Sequence, residues 1–345
     1  MHQRTEQEIM YNWKGNPSKP VVSICTITYN HEFYIVEAID SFLMQETDFP
    51  FEIVIDDDYS QDATGNVIKK YMEKYPNIIK ANLRKRNVGA MINATENMRR
   101  AKGEYIAICE GDDYWTDKNK LQIQVNVLKK NKEIDLCIHK ALRINVKNKE
   151  ELEIGNYLDD DGIVPIENII LKSKGQIPTA STIYRKKILE QITAFQNQRP
   201  WLTVGDIYIH FFGSKRGGAY FINKIMSVYR LYSEGSWTTM YQVDYKERLI
   251  HANCRIRSYE ELDTIEMYRF TSSIRRANKK SVLEIIKGPK IPYFDKILFT
   301  FKNRRYLSLE EKITYYGLVL IPFSFYLRRY ANKKFLKKLL NMHSK

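Results

Sequence analysis

The first 130 residues alternate between short unbroken apolar runs and stretches whose apolar positions recur every three or four residues. Residues 21–28, VVSICTIT, are apolar and β-branched and predict a buried strand. After Tyr29-Asn30-His31, the side chains of Ile35, Ala38, Ile39, Phe42 and Leu43 fall on one helical face. Residues 51–55 predict a second strand. Asp62 is placed to cap a helix that turns Val67, Ile68, Tyr71 and Met72 inward. Residues 78–83 predict a short third strand, and the turn Asn87-Val88-Gly89 leads into a helix over residues 90–101, closed by Lys102-Gly103. A fourth strand over residues 104–109 precedes a helix through Leu121, Val125 and Leu128. Strand and helix thus alternate four times, which predicts an α/β fold with a mostly parallel sheet flanked by helices.

Beyond residue 132 the pattern loosens. Residues 134–139 predict another strand, and residues 150–161 read as an acidic, turn-rich connection. Residues 178–184 and 219–230 predict strands on either side of the segment 201–212, and from about residue 241 the pattern is helical and increasingly basic. Residues 1–19 form a polar lead-in ending at Pro20. There is no internal repeat and no low-complexity tract.

Charge divides the chain. Residues 1–120 carry 15 Lys+Arg against 19 Asp+Glu, although the whole chain of 345 residues has a net charge of +14. The basic excess therefore belongs to the second part. The last twenty residues hold Arg328, Arg329, Lys333, Lys334, Lys337, Lys338 and Lys345 with no acid. Such a segment suits nucleic acid, an anionic membrane surface or an acidic glycan. Cys25, Cys109, Cys137 and Cys254 lie far apart without CxxC spacing, which fits a reducing compartment and argues against zinc. The N-terminal residues contain no continuous apolar segment, so no signal peptide is expected. The longest apolar stretch, residues 313–326, is shorter than the ~20 residues that span a bilayer. A soluble or peripheral, cytoplasmic protein is expected.

Candidate chemistry lies in three carboxylate stations: Asp56-Asp57-Asp58, Glu110-Gly111-Asp112-Asp113, and Asp206. The first two each close a predicted strand, where open parallel sheets bind ligands. Neighbouring like charges need a cation or hydrogen-bond donors to coexist, so paired acids at two strand ends suggest a metal-bound, phosphate-bearing ligand. Solvated turn aspartates are the plainer alternative. Asp56 is expected to hydrate the strand end, and Asp57 to bond backbone amides in its loop. Asp206 is open to two readings, a catalytic carboxylate or a helix cap. Arg84, Arg86, Arg99 and Arg100 read as solvated faces, and His31, His139, His210 and His251 have no metal-ligand spacing.

In order and spacing these segments resemble family 2 of the glycosyltransferases. Residues 22–30, VSICTITYN, are similar to the family's opening strand, and residues 57–64, DDYSQDAT, to its Asp-Asp-x-Ser-x-Asp-x-Thr element. Asn87-Val88-Gly89 with Asn93, and residues 101–106, match the following segment. Glu110-Gly111-Asp112-Asp113 stands at the DxD metal motif in Glu-x-Asp form. The resemblance covers roughly residues 20–240 and implies a GT-A fold, a Rossmann-like sheet with here a helical, basic C-terminal extension. It implies a lead-in over residues 1–19 and a catalytic domain over 20–240. That domain divides into a nucleotide-sugar half (20–131) and an acceptor half (132–240), with a helical region at 241–345 after it.

The implied roles follow position by position. Thr28 and Tyr29 line the nucleotide pocket, with Tyr29 stacking on the base or, alternatively, packing under the sheet edge. Asp58 accepts a hydrogen bond from uracil or thymine, and Asn87 belongs to the same side. Asp112 contacts ribose or metal, and Asp113 ligates Mn²⁺ or Mg²⁺. Asp206 is the catalytic base of an inverting transfer. Val228-Tyr229-Arg230 and Gly235-Ser236-Trp237 resemble the segment that closes the acceptor side. Where family members often carry a metal-binding histidine after the Tyr-Arg element, this chain has Tyr232. The partners implied are a nucleotide-sugar donor, a glycan or lipid-linked acceptor of bacterial surface polysaccharide (lipopolysaccharide or capsule), and a membrane surface met by the basic C-terminal region. Nucleic acid is not expected. A sugar-nucleotide pyrophosphorylase and a basic nucleic-acid-binding protein are the alternatives. The first would carry a glycine-rich basic loop where Tyr29-Asn30-His31-Glu32 stands; for the second, no helix-turn-helix, zinc or RNP-type motif occurs.

Overall fold

In a computed structural model of the chain, residues 4–199, 205–236, 238–239 and 244–315 are described. The chain forms two compact units, residues 1–277 and 278–345. The first is built on strands β1 (Val22–Thr28), β2 (Phe51–Asp57), β3 (Ile79–Leu83), β4 (Tyr105–Ile108), β5 (Tyr114–Trp115) and β6 (Leu136–Asn145). They are joined by β7 (Glu151–Ile154), β8 (Gly162–Val164), β9 (Ile183–Arg185) and β10 (Ala219–Leu231). Helices α1 (Glu6–Met10), α2 (Ile35–Leu43), α3 (Thr64–Lys74), α4 (Ala90–Arg100) and α5 (Lys120–Lys130) belong to its first half. Then come α6 (Ile166–Leu171), α7 (Lys187–Asn197), α8 (Asp206–Ser214), α9 (Tyr245–Ile265) and the start of α10 (Thr271–Lys287).

The strands form one sheet in the order β3-β2-β1-β4-β9-β6-β10-β5, with β7 on β6 and β8 on β10. Strands β3, β2, β1 and β4 run parallel. Past β4 the sheet becomes mixed: β9 is antiparallel to both β4 and β6, while β10 runs parallel to β6 and antiparallel to β5 and β8. A continuous apolar run signals burial on both faces but not strand direction, so this reversal had no signature in the pattern. Two apolar clusters fill the two sides. One gathers Ile24, Ile39, Phe42, Ile53 and Trp115, the other Ile106, Leu136, Tyr184, Tyr208 and Phe221.

The periodic elements of the first half lie within a residue or two of the expected bounds, and all five apolar positions named on α2 are buried. Three local readings change. The lead-in contains a short helix, α1, opened by a capping box between Thr5 and Glu8, and its Ile9 is buried. The acidic stretch at 150–161 supplies β7, because pairing with β6 matters more than its exposed, charged composition. Residues 178–184 split into a one-turn helix at Thr179–Ser181 and the short β9. The segment 200–204 and the tail 316–345 lie outside the described residues. Among those described, no helix is long and apolar enough to cross a membrane.

Asp56 is the largest correction. It does not hydrate the strand end; it is wholly buried. Asn82 and Asn97 donate to it at 2.9 Å each, Arg84 approaches to 3.4 Å, and Arg100 pairs with its other oxygen. Arg84 also donates to Asn93, whose amide returns a bond to the Asp56 carbonyl oxygen. Two of the arginines expected on solvated faces therefore fasten α4 to β2. Removing one partner of such a buried ion pair costs about 3–5 kcal/mol.

A buried lysine sets a pH dependence. Lys120 opens α5 with no exposure, its ammonium 4.1 Å from the Trp115 ring centroid and 2.7 Å from Gln124 Oε1. Burial pushes its pKa down to about 7. An unfolded lysine keeps its proton to about pH 10.4. The unfolded chain thus binds more protons between those values, and stability rises with pH across that window. The penalty is fully present below pH 7. Thermal melts from neutral to alkaline pH are expected to show this rise, and Lys120→Met to flatten it by up to about 5 kcal/mol. An identical slope in both proteins would contradict the assignment.

Candidate active site

The loops that follow β1, β2 and β4 meet at one edge of the parallel strands. Thr28 ends β1, and its carbonyl oxygen accepts the Asp58 backbone N–H at 2.9 Å. The Gly111 N–H donates to the Ile27 carbonyl at 3.0 Å, which draws the acid cluster against β1. A side chain at Gly111 would meet Thr28 Oγ1 at 2.8 Å and His31 Nδ1 at 3.1 Å, so only glycine fits. Gly235, at φ +78°, presses its backbone on Tyr29: an added Cβ would stand 2.5 Å from the Tyr29 carbonyl oxygen. Tyr29 itself is partly exposed.

Each aspartate of the first station has a different environment. Asp57 accepts from the Ser60 backbone N–H and hydroxyl, as expected of a loop-bonding residue, and burial pushes its carboxyl above the usual range. Asp58 accepts the backbone N–H groups of Val88 at 2.8 Å and Gly89 at 2.9 Å. The Asn87 side chain donates to the Asp58 carbonyl at 3.1 Å, tying the Asn87-Val88-Gly89 turn to the end of β2.

In the second station, oxygens of Glu110, Asp112 and Asp113 all lie within 4.8 Å of one another. Asp112 and Asp113 are buried. Burial, with the charges of Asp112 and Asp206, pushes Glu110 up to about 8. Burial, Asp112 and Glu110 push Asp113 well above the carboxylate range. Asp113 Oδ1 accepts the Arg230 backbone N–H at 2.8 Å, whereas its buried Oδ2 has no partner among the described residues. Three carboxylates with an orphaned buried oxygen fit a hard divalent cation, which takes oxygen ligands and lifts the mutual repulsion.

Arg230 holds this cluster together. It donates from Nη1 to the Asp112 carbonyl at 2.6 Å and pairs through Nη2 with Glu37 of α2. Its guanidinium lies 5.2 Å from the Tyr34 ring centroid and 4.5 Å from that of Tyr114. Ser233 donates its hydroxyl to Asp112. Glu37, Tyr34, Tyr114 and Ser233 stand outside any local pattern. Arg230 had one signal, its place in the Tyr-Arg element. Trp237 of the following segment lies outside the described residues.

Asp206 is the first residue of α8, after Gly205, where the helix dipole favours a carboxylate. It is 40% exposed, with Lys172 Nζ 3.3 Å from its Oδ2. Lys172 takes a left-handed backbone conformation at the end of α6. Burial alone would raise the Asp206 pKa; Lys172, His210 and His251 outweigh it and hold the carboxyl well below its ordinary range. The charge of Asp206 adds to the upward push on Glu110. No histidine belongs to an acidic metal-binding group among the described residues.

The mixed sheet with helices on its faces and carboxylate-bearing loops at the parallel strand ends matches the GT-A class of glycosyltransferase folds, to which the solved structures below are similar. Residues 23–193 match the family described as "Glycosyl transferase family 2", so this part of the chain carries a domain of that family. Its relatives include a protein of Mycobacterium tuberculosis, 34% identical over 223 residues, which are 64% of this chain and 61% of the relative. The chain thus aligns with less than two thirds of that relative's length. TuaG of Bacillus subtilis, named for teichuronic acid biosynthesis, is 34% identical over 119 residues, 34% of this chain and 44% of its own. Among solved structures, Staphylococcus aureus TarS residues 1–349 in complex with UDP superposes with a TM-score of 0.51 at 17% identity, covering 83% of this chain and 87% of that one. A mannosyltransferase of Pyrobaculum calidifontis, in complex with GDP-Man and Mn²⁺, gives 0.51 at 15% identity, covering 89% and 86%. These structural likenesses concern the fold.

If Arg230 is the strut of the acid cluster and the cluster holds a divalent cation, Arg230→Ala will weaken its binding about ten- to a hundredfold, the usual cost of losing a residue that orients metal ligands. Calorimetric Mn²⁺ titration of a variant with unchanged melting temperature checks this. Equal affinity would remove Arg230 from that role.

Proposed function

We propose that this chain is an inverting glycosyltransferase that moves a sugar from a nucleotide-diphosphate donor to a hydroxyl of a glycan or lipid-linked acceptor. The observation that carries the reading is the close set of Glu110, Asp112 and Asp113 oxygens with its orphaned Asp113 Oδ2, beside Tyr29 and Asp58. In this reading Thr28, Tyr29, Asp58, Asn87 and Asp112 hold the nucleotide, within a donor half at residues 20–131. Asp113 and Asp112 hold Mn²⁺ or Mg²⁺. When bound, such a cation offsets the charge that gathers on the departing diphosphate.

Donor class is supported by the ligands of fold neighbours: UDP-GlcNAc on TarS, GDP-Man with Mn²⁺ on the Pyrobaculum enzyme. A UDP-sugar is favoured because each Asp58 oxygen, after accepting one amide N–H, retains a lone pair for the ring N–H of uracil. The acceptor half is residues 132–240, with Asp206 as general base. Lys172 keeps Asp206 ionised, and exchange of that ion pair for the acceptor hydroxyl would restore its basicity. The acceptor hydroxyl gives its proton to Asp206 as its oxygen bonds the anomeric carbon. The bond from that carbon to the diphosphate oxygen breaks, and its electron pair leaves with the nucleotide. One base on the face opposite the leaving group yields inversion.

Synthesis of a bacterial surface polysaccharide, such as lipopolysaccharide or capsule, is the setting, supported by the relative named for teichuronic acid. The enzyme acts at the cytoplasmic face of the membrane, to which the basic C-terminal region, residues 241–345, attaches it.

Calorimetry with UDP is expected to give binding that requires Mn²⁺ and is abolished in Asp113→Ala. Binding to UDP, GDP and dTDP that is absent with and without Mn²⁺ would sink the reading. Asp206→Asn should retain UDP binding and lose about a hundredfold or more in kcat, the weight of a positioned proton acceptor. Undiminished turnover would acquit Asp206.

A further inference from the structure

We propose that the second unit carries the membrane-contacting element on helix α11 (Tyr293–Lys302), whose Phe294, Leu298 and Phe301 face docks on an anionic lipid surface. The inference rests on the peripheral attachment proposed above and assigns it to particular residues. Those three side chains stand at i, i+4 and i+7, one stripe of the helix. They are 49%, 40% and 47% exposed, while Phe299 and Thr300 of the same helix are buried. Tyr293, at the first turn, is also exposed, and its ring is of the amphipathic kind that settles at headgroup level.

Cations gather at the C-terminal end of the stripe, where Lys302, Arg304 and Arg305 follow Phe301. Residues 290–305 contain Lys290, Lys296, Lys302, Arg304 and Arg305 against the single acid Asp295. The Arg304 guanidinium lies 4.4 Å from the Phe301 ring centroid, so charge and apolar surface belong to one patch. The scaffold beneath is well fastened. Asn303 donates to the Phe299 carbonyl at 2.9 Å, Asn278 donates to the Tyr306 hydroxyl at 3.2 Å, and Lys279 pairs with Glu311 at 2.8 Å.

Charge selects the occupant. A second copy would bring the same cations to the same face. The chain's own last twenty residues carry seven cations and no acid, so they cannot neutralise it either. An apolar stripe bordered by Lys and Arg on a helix of 10 residues suits a bilayer interface with anionic headgroups, in which the helix lies flat. Its length of about 15 Å is half of what spanning would need.

The test is co-sedimentation of the full chain with vesicles of phosphatidylcholine doped with phosphatidylglycerol, against pure phosphatidylcholine. Binding is expected to the anionic vesicles and to weaken in high salt. Leu298→Ser/Phe301→Ser and, separately, Lys302→Gln/Arg304→Gln/Arg305→Gln should each reduce partitioning by about tenfold or more, with melting temperature and UDP binding unchanged. Wild-type-like partitioning of both variants would overturn α11 as the contact while leaving membrane attachment standing. Failure of the wild type to bind either vesicle would overturn both. A concentration-dependent dimer, by analytical ultracentrifugation, that Leu298→Ser/Phe301→Ser dissolves without any vesicle binding would assign the face to self-association instead. Nucleotide binding is read apart from these outcomes, so the transferase reading stands or falls separately.

Discussion

The constraint on which this architecture turns is the confinement of three carboxylates, Glu110, Asp112 and Asp113, in a space where their oxygens lie within 4.8 Å. Burial and mutual repulsion both favour protonation there, as the raised pKa values of Glu110 and Asp113 record. Such a cluster survives in the absence of a cation only if the surrounding chain holds it. Arg230 does so from three directions, through its backbone N–H, its guanidinium bonds and its two tyrosine neighbours. The strand that delivers Arg230, β10, runs the full depth of the mixed half of the sheet and pairs with β5, directly beyond the cluster. The fold thus brings a cation from over a hundred residues away to a charge problem created at the end of β4.

The first station is solved differently. Asp56 is neutralised by Arg84 and Arg100 and completed by two asparagines, which uses its charge to lock α4 on the sheet. Asp57 shapes its own loop, and Asp58 fixes the turn at Asn87. Three adjacent aspartates therefore have three tasks. Only the last of them stands with Tyr29 at the mouth of the site. Asp56 and Asp57 leave β2 on opposite faces, as successive strand residues do, whereas Asp58 lies just past the strand's end.

Burial logic also separates the two lysines with unusual surroundings. Lys120 sits in the core between Trp115 and Gln124, and its charge is weakened. Lys172 keeps its partner Asp206 strongly acidic at a partly exposed position. A charge pair at a rim can be exchanged for contacts with a ligand, whereas a lysine in the core is committed to packing. That difference is why Asp206 and not the core network is the candidate for proton transfer.

The amino-acid sequence by itself determined the strand–helix alternation of the first half, the buried face of α2, the positions of Thr28, Tyr29, Asp58, Asp112 and Asp113 in the loops at strand ends, and that of Asn87 in the turn before α4. These are local properties: apolar periodicity sets burial, and turn chemistry sets where a strand stops. Only the tertiary structure decided strand direction beyond β4, the burial of Asp56, and the roles of Arg230, Ser233, Glu37 and Lys172. Each of these depends on which distant segment arrives beside it. An arginine on a helix face reads as solvated until a carboxylate is brought beneath it, and a buried carboxylate reads as a turn residue until its donors are in place. Electrostatic partnership acts across space, and one-dimensional spacing does not record it.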